Sequence, residues 1–274
     1  MLGSSTNAYP HSDLERALKG ISEVGFRYVE ITAIPGYNEH LVPERMTEAD
    51  YAELKNTLAR YHLQTICISG HVILPLAGTD LTQPDAKAIE LTKNRIDLTA
   101  RLGAEVLSTM AGNPANERER QTLCENLRLV GDYGKSKGVT VTLETHGGMM
   151  ATGQKALSIV KMIDHDYVGI NYDTGNVRFY AGTNPEEDLT TIMPYVKHIH
   201  LKDHRGSVGD YDFPALGQGE INWQKVFAVL DRHSYRGPFS AEIELRGPKV
   251  NIPEPEIDEA QKSSYEFLRL FDLQ

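Results

Sequence analysis

Short apolar runs alternate along this chain with longer stretches whose apolar residues recur at helical spacing. Met1 to Thr6 fits a clipped first strand. Ser12-Asp-Leu-Glu15 fits a capping box, in which hydroxyl and carboxylate satisfy free backbone donors. Leu14, Ala17, Leu18, Ile21 and Val24 then share one face, and Gly25 ends the helix. Tyr28 to Thr32 reads as a second strand. Thr47-Glu-Ala-Asp50 opens a helix that carries Tyr51, Leu54, Leu58 and Tyr61 on one side. Thr65 to Ser69 is a third strand, followed by Gly70 and His71. Pro84 suits the first turn of a third helix, which runs to about Leu102.

The alternation continues to the end of the chain. Glu105 to Thr109 is a strand, and a helix with Leu123, Leu127 and Val130 leads to a strand over Val139–Glu144. Lys155 to Ile163 reads as helix and Tyr167 to Asp173 as strand. Pro185 and the acids after it start a helix. Val196 to Lys202 is a strand, Trp223 to Leu230 a helix and Pro238 to Glu244 a strand. Ile257 to Leu273 closes the chain as a helix. Strands that alternate with helices imply a parallel sheet with helical crossovers. The 274 residues are close to the ~250 typical of an eight-unit barrel. The expected fold class is α/β, a single (β/α)8 TIM barrel forming one domain over residues 1–274. An open Rossmann-like sheet competes, but no G-x-G-x-x-G opens a helix after an early strand.

Composition narrows the function classes. The net charge is -10, which argues against the basic face of a nucleic-acid binder. No apolar run approaches the ~20 residues needed to cross a bilayer. The N-terminus lacks a basic segment followed by an apolar one, so no signal peptide is expected. Cys67 and Cys124 read as buried free thiols in a reducing compartment, and the expected location is the cytoplasm.

Four of the apolar runs end on side chains able to bind a metal: Glu144, Asp173, His200 and Glu242. In a (β/α)8 barrel the active site lies at the C-terminal ends of the strands. The last four strands are neighbours, so these ends converge. Three carboxylates and one imidazole suit a single divalent ion, Mn2+ first, with Mg2+, Co2+ and Zn2+ also accommodated.

At these residues the chain resembles the xylose-isomerase-like barrels. That superfamily includes sugar and sugar-phosphate isomerases and epimerases, inosose dehydratases and endonuclease IV. The resemblance is carried by Leu-Glu144-Thr-His, Tyr-Asp173-Thr-Gly-Asn176, His198-Ile-His200-Leu-Lys-Asp203, Leu216-Gly-Gln-Gly-Glu220 and Gly237-Pro-Phe-Ser-Ala-Glu242. It implies that Glu144, Asp173, His200 and Glu242 are the metal ligands. The Leu-Lys-Asp that follows selects His200 over His198, and the Gly-Pro-Phe-Ser-Ala context selects Glu242 over Glu244. The chain departs from endonuclease IV, which needs extra histidines where this sequence has Ala111-Gly-Asn113 and Asn176. One metal is therefore expected, not three.

The resemblance implies a divalent-metal-dependent isomerase or epimerase of a sugar or keto-sugar. Proton abstraction beside the carbonyl would pass through a metal-stabilised enediolate. Glu144 and Glu242 are the expected catalytic pair. The alternative is a lyase that starts with the same proton abstraction and then eliminates a group from a keto-sugar, 3-keto-glycoside or inosose. Glu30, His71, His146, Asn176, Lys202 and Arg246 are expected at the mouth as substrate contacts, each with a structural reading beside it. Arg246 also reads as a solvated loop arginine, and Lys202 as a partner of Asp203. Gly217-Gln-Gly219 fits a backbone approach to a phosphate or a plain turn. The expected partner is a small carbohydrate, with no nucleic acid and no membrane. Barrels of this superfamily often form homo-oligomers, although no stripe in this sequence names an interface.

Overall fold

The structure, a computed structural model, describes residues 1–74, 83–247 and 250–271. Eight parallel strands form the barrel: β1 (Leu2–Ser5), β2 (Tyr28–Thr32), β3 (Gln64–Leu74), β4 (Val106–Ala111), β5 (Thr140–Glu144), β6 (Val168–Asp173), β7 (Val196–Leu201) and β8 (Phe239–Ala241). Each pairs with the next. β1 pairs with β8, Leu2 beside Phe239 and Gly3 beside Ser240, so the sheet closes on itself. The expected (β/α)8 barrel is the fold. The surrounding helices among the described residues are α1 (Leu14–Val24), α2 (Glu48–Arg60), α3 (Ala86–Arg101), α4 (Glu117–Lys137), α5 (Gly153–Ile163), α6 (Thr174–Ala181), α7 (Pro185–Ile192), α8 (Trp223–Arg232) and α9 (Glu254–Leu268).

Local chemistry explains where the boundaries moved. α2 opens at Thr47 as expected, and there Thr47 and Asp50 form a reciprocal capping box. α1 is capped by Asp13, whose carboxylate accepts the Arg16 N–H at 2.8 Å. Ser12 lies one residue too early to cap and donates to Glu254 at 2.7 Å. Pro84 falls outside α3, because Asp85 takes the cap by accepting from the Ala88 N–H at 2.9 Å. β3 runs past Ser69 to Leu74 across a register shift against β4, and so keeps His71 on the strand. β8 is shorter than expected and stops at Ala241, before Glu242 and Glu244. The closing helix begins at Glu254 and ends at Leu268. Leu273, where it was expected to end, lies outside the described residues. α6 was not expected. Asp-Thr-Gly is turn chemistry, but here the Asp173 carboxylate caps a helix, accepting from the N–H groups of Gly175 and Asn176 at 2.9 and 2.8 Å.

Inside the barrel, one layer is polar. Branched apolar side chains dominate most barrel interiors. Here Asn171 donates to the Ser108 hydroxyl at 2.9 Å, and its carbonyl meets His198 Nδ1 at 2.9 Å. His198 Nε2 meets the Ser240 hydroxyl at 3.0 Å. All four side chains are fully buried. Each finds a partner on another strand, as burial of polar groups requires.

The long connection after β7 is organised by one carboxylate. Asp203 accepts from the N–H groups of Gly217 (2.9 Å), Gly219 (3.1 Å) and Ile221 (3.3 Å), and from the indole N–H of Trp223 (3.0 Å). Gly217 has φ +83°, and a Cβ on Gly219 would lie 2.2 Å from the Asp203 carboxylate, so the loop closes only with glycine at these positions. The Gly217 and Gly219 amides are thus spent on Asp203 and the Gln218 amide on the Ala215 carbonyl at 3.0 Å, so none of the three is turned toward a phosphate. Nor does Asp203 appear among the carboxylates that meet Lys202. Asp203→Ala would leave several buried donors without an acceptor. It should cost about 3 kcal/mol of stability in urea unfolding. A loss below about 1 kcal/mol would mean that the carboxylate does not hold the loop.

Candidate active site

Glu144 ends β5, Asp173 ends β6, His200 lies near the end of β7, and Glu242 follows β8. All four are buried, and one donor atom from each lies within 4.8 Å of the others. His200 Nδ1 is 3.3 Å from Glu242 Oε2, 3.4 Å from Glu144 Oε1 and 3.7 Å from Asp173 Oδ2. The strand ends supply the convergence: Asp173 pairs in register with His200, and Glu144 with Asn171.

Asp173 divides its two oxygens. Oδ1 caps α6, whereas Oδ2 is buried without a hydrogen-bond partner and faces the cluster. The cap and the site are therefore served by the same residue. Burial pushes the Asp173 carboxyl up to about 7, with the Glu242 and Glu144 charges adding to the rise. A buried carboxylate oxygen that accepts no hydrogen bond, beside two more carboxylates and an imidazole nitrogen, fits a divalent cation. The donor set, three hard oxygens and one nitrogen, is the kind that Mn2+, Mg2+ or Co2+ accepts.

The side chains around this cluster hold it in place. Glu30 carboxylate oxygens lie 3.0 Å from His200 Nε2. Glu30 is fully buried, so the expected substrate contact at the mouth is corrected: it sits beneath His200 and fixes the imidazole. Burial opposes charge on His200, but Glu30 and Glu242 outweigh it and raise its pKa. His71 Nε2 is 2.8 Å from Glu144 Oε2, and the Asn176 amide donates to Glu144 Oε1 at 3.0 Å. Burial disfavours the ionised Glu144, yet His71 and His200 hold it well below the usual carboxylate range.

On the other side, Lys202 Nζ is 2.6 Å from Glu244 and 3.3 Å from Glu242. Burial opposes its charge, and those carboxylates more than offset it, so Lys202 stays cationic. Asn7, in the turn after β1, donates to Glu242 at 3.0 Å and to Glu244 at 3.2 Å. Nothing in the reading of strand ends singled out Asn7. The same rule applied to the short first strand would have found it, since it lies two residues past Ser5.

The cluster opens into a cavity of about 830 Å3 lined by His71, His146, Asn176, Lys202 and Glu244, among others. His146 packs against the Tyr180 ring, centroids 5.0 Å apart. Arg246 reaches the cavity edge, but its guanidinium is exposed and paired with Glu256 at 2.6 and 2.9 Å. The expected Arg246 contact to substrate competes with that pair.

The model of the xylose isomerase-like TIM barrels matches residues 18–269. The chain belongs to that family. Within it, an inosose dehydratase of Clostridium perfringens is 30% identical over 154 residues, covering 50% of this chain and 51% of that enzyme. The match to the inosose dehydratases thus spans about half of their length. An L-ribulose 3-epimerase of Methylomonas sp. is 24% identical over 256 residues, covering 86% of this chain and 81% of the epimerase. The crystal structure of a D-allulose 3-epimerase from Methylomonas sp. superposes with a TM-score of 0.77 at 20% identity, covering 98% of this chain and 96% of that one. At that identity the superposition speaks for the fold alone. No helix among the described residues is long and apolar enough to cross a membrane.

His198, two residues from His200, has both ring nitrogens committed to the polar layer, and burial lowers its pKa to about 4. Because the folded value lies below the ordinary 6.5, its contribution to stability is present above pH 6.5 and lost as pH falls toward about 4. Nitrogen-15 spectra should show a neutral His198 as pH falls through 6.5. A titration midpoint at the ordinary value would place His198 outside the buried layer.

Proposed function

We propose that this protein is a divalent-metal-dependent enzyme that takes a proton from the carbon beside the carbonyl of a sugar or keto-sugar and returns it, as an epimerase or isomerase. The observation that carries this reading is the convergence of Glu144, Glu242, His200 and the Asp173 oxygen that accepts no hydrogen bond, with Glu144 and Glu242 lining one cavity. Its support from relatives is the L-ribulose 3-epimerase aligned over most of the chain.

Glu144, Asp173, His200 and Glu242 would hold the cation. When bound, it supplies Lewis-acid stabilisation of the negative charge that develops on substrate oxygen as the proton leaves. The chain's own residues do the rest. Glu144 and Glu242 both stay ionised at neutral pH, the state that accepts a proton. They arrive from different strands, so one takes the proton from one face of the carbon and the other returns it on the opposite face. Lys202 keeps a positive charge next to Glu242, and His71, whose pKa the Glu144 carboxylate raises against the effect of burial, lies against Glu144. Asn176 and Asn7 fix the orientation of the two carboxylates.

A second reading has its own support in the inosose dehydratase match. Elimination begins with the same proton removal and then expels a hydroxyl or another group. The reaction in deuterated water separates the two readings. Epimerisation or isomerisation incorporates deuterium and keeps the carbon skeleton and its hydroxyls. Elimination loses water or an aglycone.

Chelator-treated protein should lose exchange, and added Mn2+, Mg2+, Co2+ or Zn2+ should restore it to different extents. Full activity without metal would overturn the cofactor assignment. Glu144→Gln and Glu242→Gln should each slow turnover about 10²–10⁴-fold. Near wild-type rates with metal still bound would remove them from the reaction. Glu30→Gln should weaken metal affinity about 10–100-fold in a competition titration, since His200 loses its anchoring carboxylate. An unchanged affinity would reduce Glu30 to a packing role.

A further inference from the structure

The carboxylates and the Lys202 ammonium gather at the floor of the cavity, and apolar and aromatic side chains supply much of its described upper wall. Its upper wall has a different character on its two sides. Barrel order places the strands β2 to β4 across the mouth from β6 and β7. The β2–β4 side presents Ile34, Pro35, Ile73 and Met110. The β6–β7 side presents Phe179, Tyr180, Tyr211 and Phe213. The aromatic side is prebuilt: Phe179 meets Tyr180, Tyr211 and Phe213 with ring centroids 4.7, 5.7 and 5.4 Å apart. At the lip, Tyr37, Ile73 and Tyr211 are 47%, 41% and 44% exposed. Large apolar side chains held in water around one opening mark a place where something apolar is received.

A lone sugar ring does not match this cavity. Its volume of about 830 Å3 lies high in the ~300–1,000 Å3 range of pockets that enclose drug-sized ligands. A sugar on the floor would reach His71, Asn176, Lys202 and the carboxylates, and leave the upper wall uncovered. A second sugar in the upper part would bring hydroxyls against Ile34, Pro35, Ile73 and Met110, whose own side chains offer them no strong donor or acceptor. Buried hydroxyls without partners cost free energy. A planar apolar group loses nothing there and stacks on the aromatic side.

We propose that the substrate is a keto-glycoside: because the glycosidic bond locks the anomeric carbonyl, the ketone that activates the neighbouring C–H lies on the ring, which reacts on the polar floor, and an aromatic aglycone lies between the aliphatic and aromatic sides of the upper cavity. The inference rests on the carbohydrate reading of the floor but concerns binding, so it is tested without turnover. Matched phenyl and methyl glycosides of glucose, galactose and mannose, none of them a keto-sugar, are titrated calorimetrically into the metal-loaded protein, with cellobiose as the two-sugar comparison.

In at least one matched pair, the phenyl glycoside should bind about tenfold or more tighter than the methyl glycoside. Ile73→Gln, at an exposed position, should collapse that ratio, and Met110→Gln should do so independently. A phenyl-to-methyl ratio near one in every pair overturns the proposal, as does absence of binding by all of them. Cellobiose binding as tightly as phenyl glucoside overturns it in favour of a second sugar. If the aryl preference holds but no keto-sugar exchanges deuterium, the reaction is wrong and the subsite stands. If exchange is found and the preference is missing, the reverse is true.

Discussion

His200 is gripped from both sides of its ring. Glu30 takes Nε2 from below, and Glu144, Asp173 and Glu242 crowd Nδ1 from above. Four carboxylates around one buried imidazole is a costly arrangement in a medium of low dielectric, and like charges raise the cost further. The neighbouring groups follow from it. Lys202 is pulled inward beside Glu242 and Glu244, His71 lies against Glu144, and two asparagines donate to the remaining oxygens. Asp173 remains the least compensated of the set. Its outer oxygen accepts no hydrogen bond and has the Lys202 ammonium no nearer than 3.6 Å.

The polar layer beneath the cluster has the same origin. A barrel packed with leucine and valine would leave Glu30 and His200 without hydrogen-bonding neighbours on their lower side. Asn171, His198, Ser108 and Ser240 instead continue the network downward, each bonded to a side chain on another strand. The imidazole that orients the mouth is thereby tied to β2, β4, β6 and β8 at once. Above the strands, Asp203 does a comparable job for the loop that carries Tyr211 and Phe213. It gathers amides of that loop onto one carboxylate, so the loop that brings Tyr211 and Phe213 to the α6 aromatics Phe179 and Tyr180 is anchored by the residue that directly follows Lys202.

How far the sequence could be read followed from which signals are local. The convergence of Glu144, Asp173, His200 and Glu242 was legible because each ends an apolar run, and barrel strands end at one rim. Depth was not legible. Glu30 also lies near a strand end, but a strand pattern gives the face of a side chain and not its height, so a residue beneath His200 read like one at the mouth. Asn7 was hidden by the shortness of β1. The α6 helix was hidden because its capping aspartate is equally a turn residue. The Gly-Gln-Gly loop looked like an anion cradle, since glycine content records close approach without naming what approaches. Here it is Asp203. The upper cavity was least legible of all, because its two sides come from loops and strand ends far apart in the chain.

The charge balance of the mouth also bears on what enters it. Glu144, Asp173 and Glu242 meet at the floor, with Glu244 beside them. The nearby cations are already committed: Lys202 to Glu244 and Glu242, Arg246 to Glu256, and Arg178 to Glu220. The backbone amides most suited to an oxyanion are bonded to Asp203. A phosphate would therefore meet a negative floor and, among the described residues, would have to break an existing pair to gain a cation. An uncharged sugar meets no such cost. On the proposed reading its hydroxyls would meet carboxylates, amides and an ammonium at the floor, and an apolar substituent would meet the wall above. Selection by charge below and by shape above lets one barrel keep its chemistry fixed at the strand ends while the loops decide which sugar reaches it.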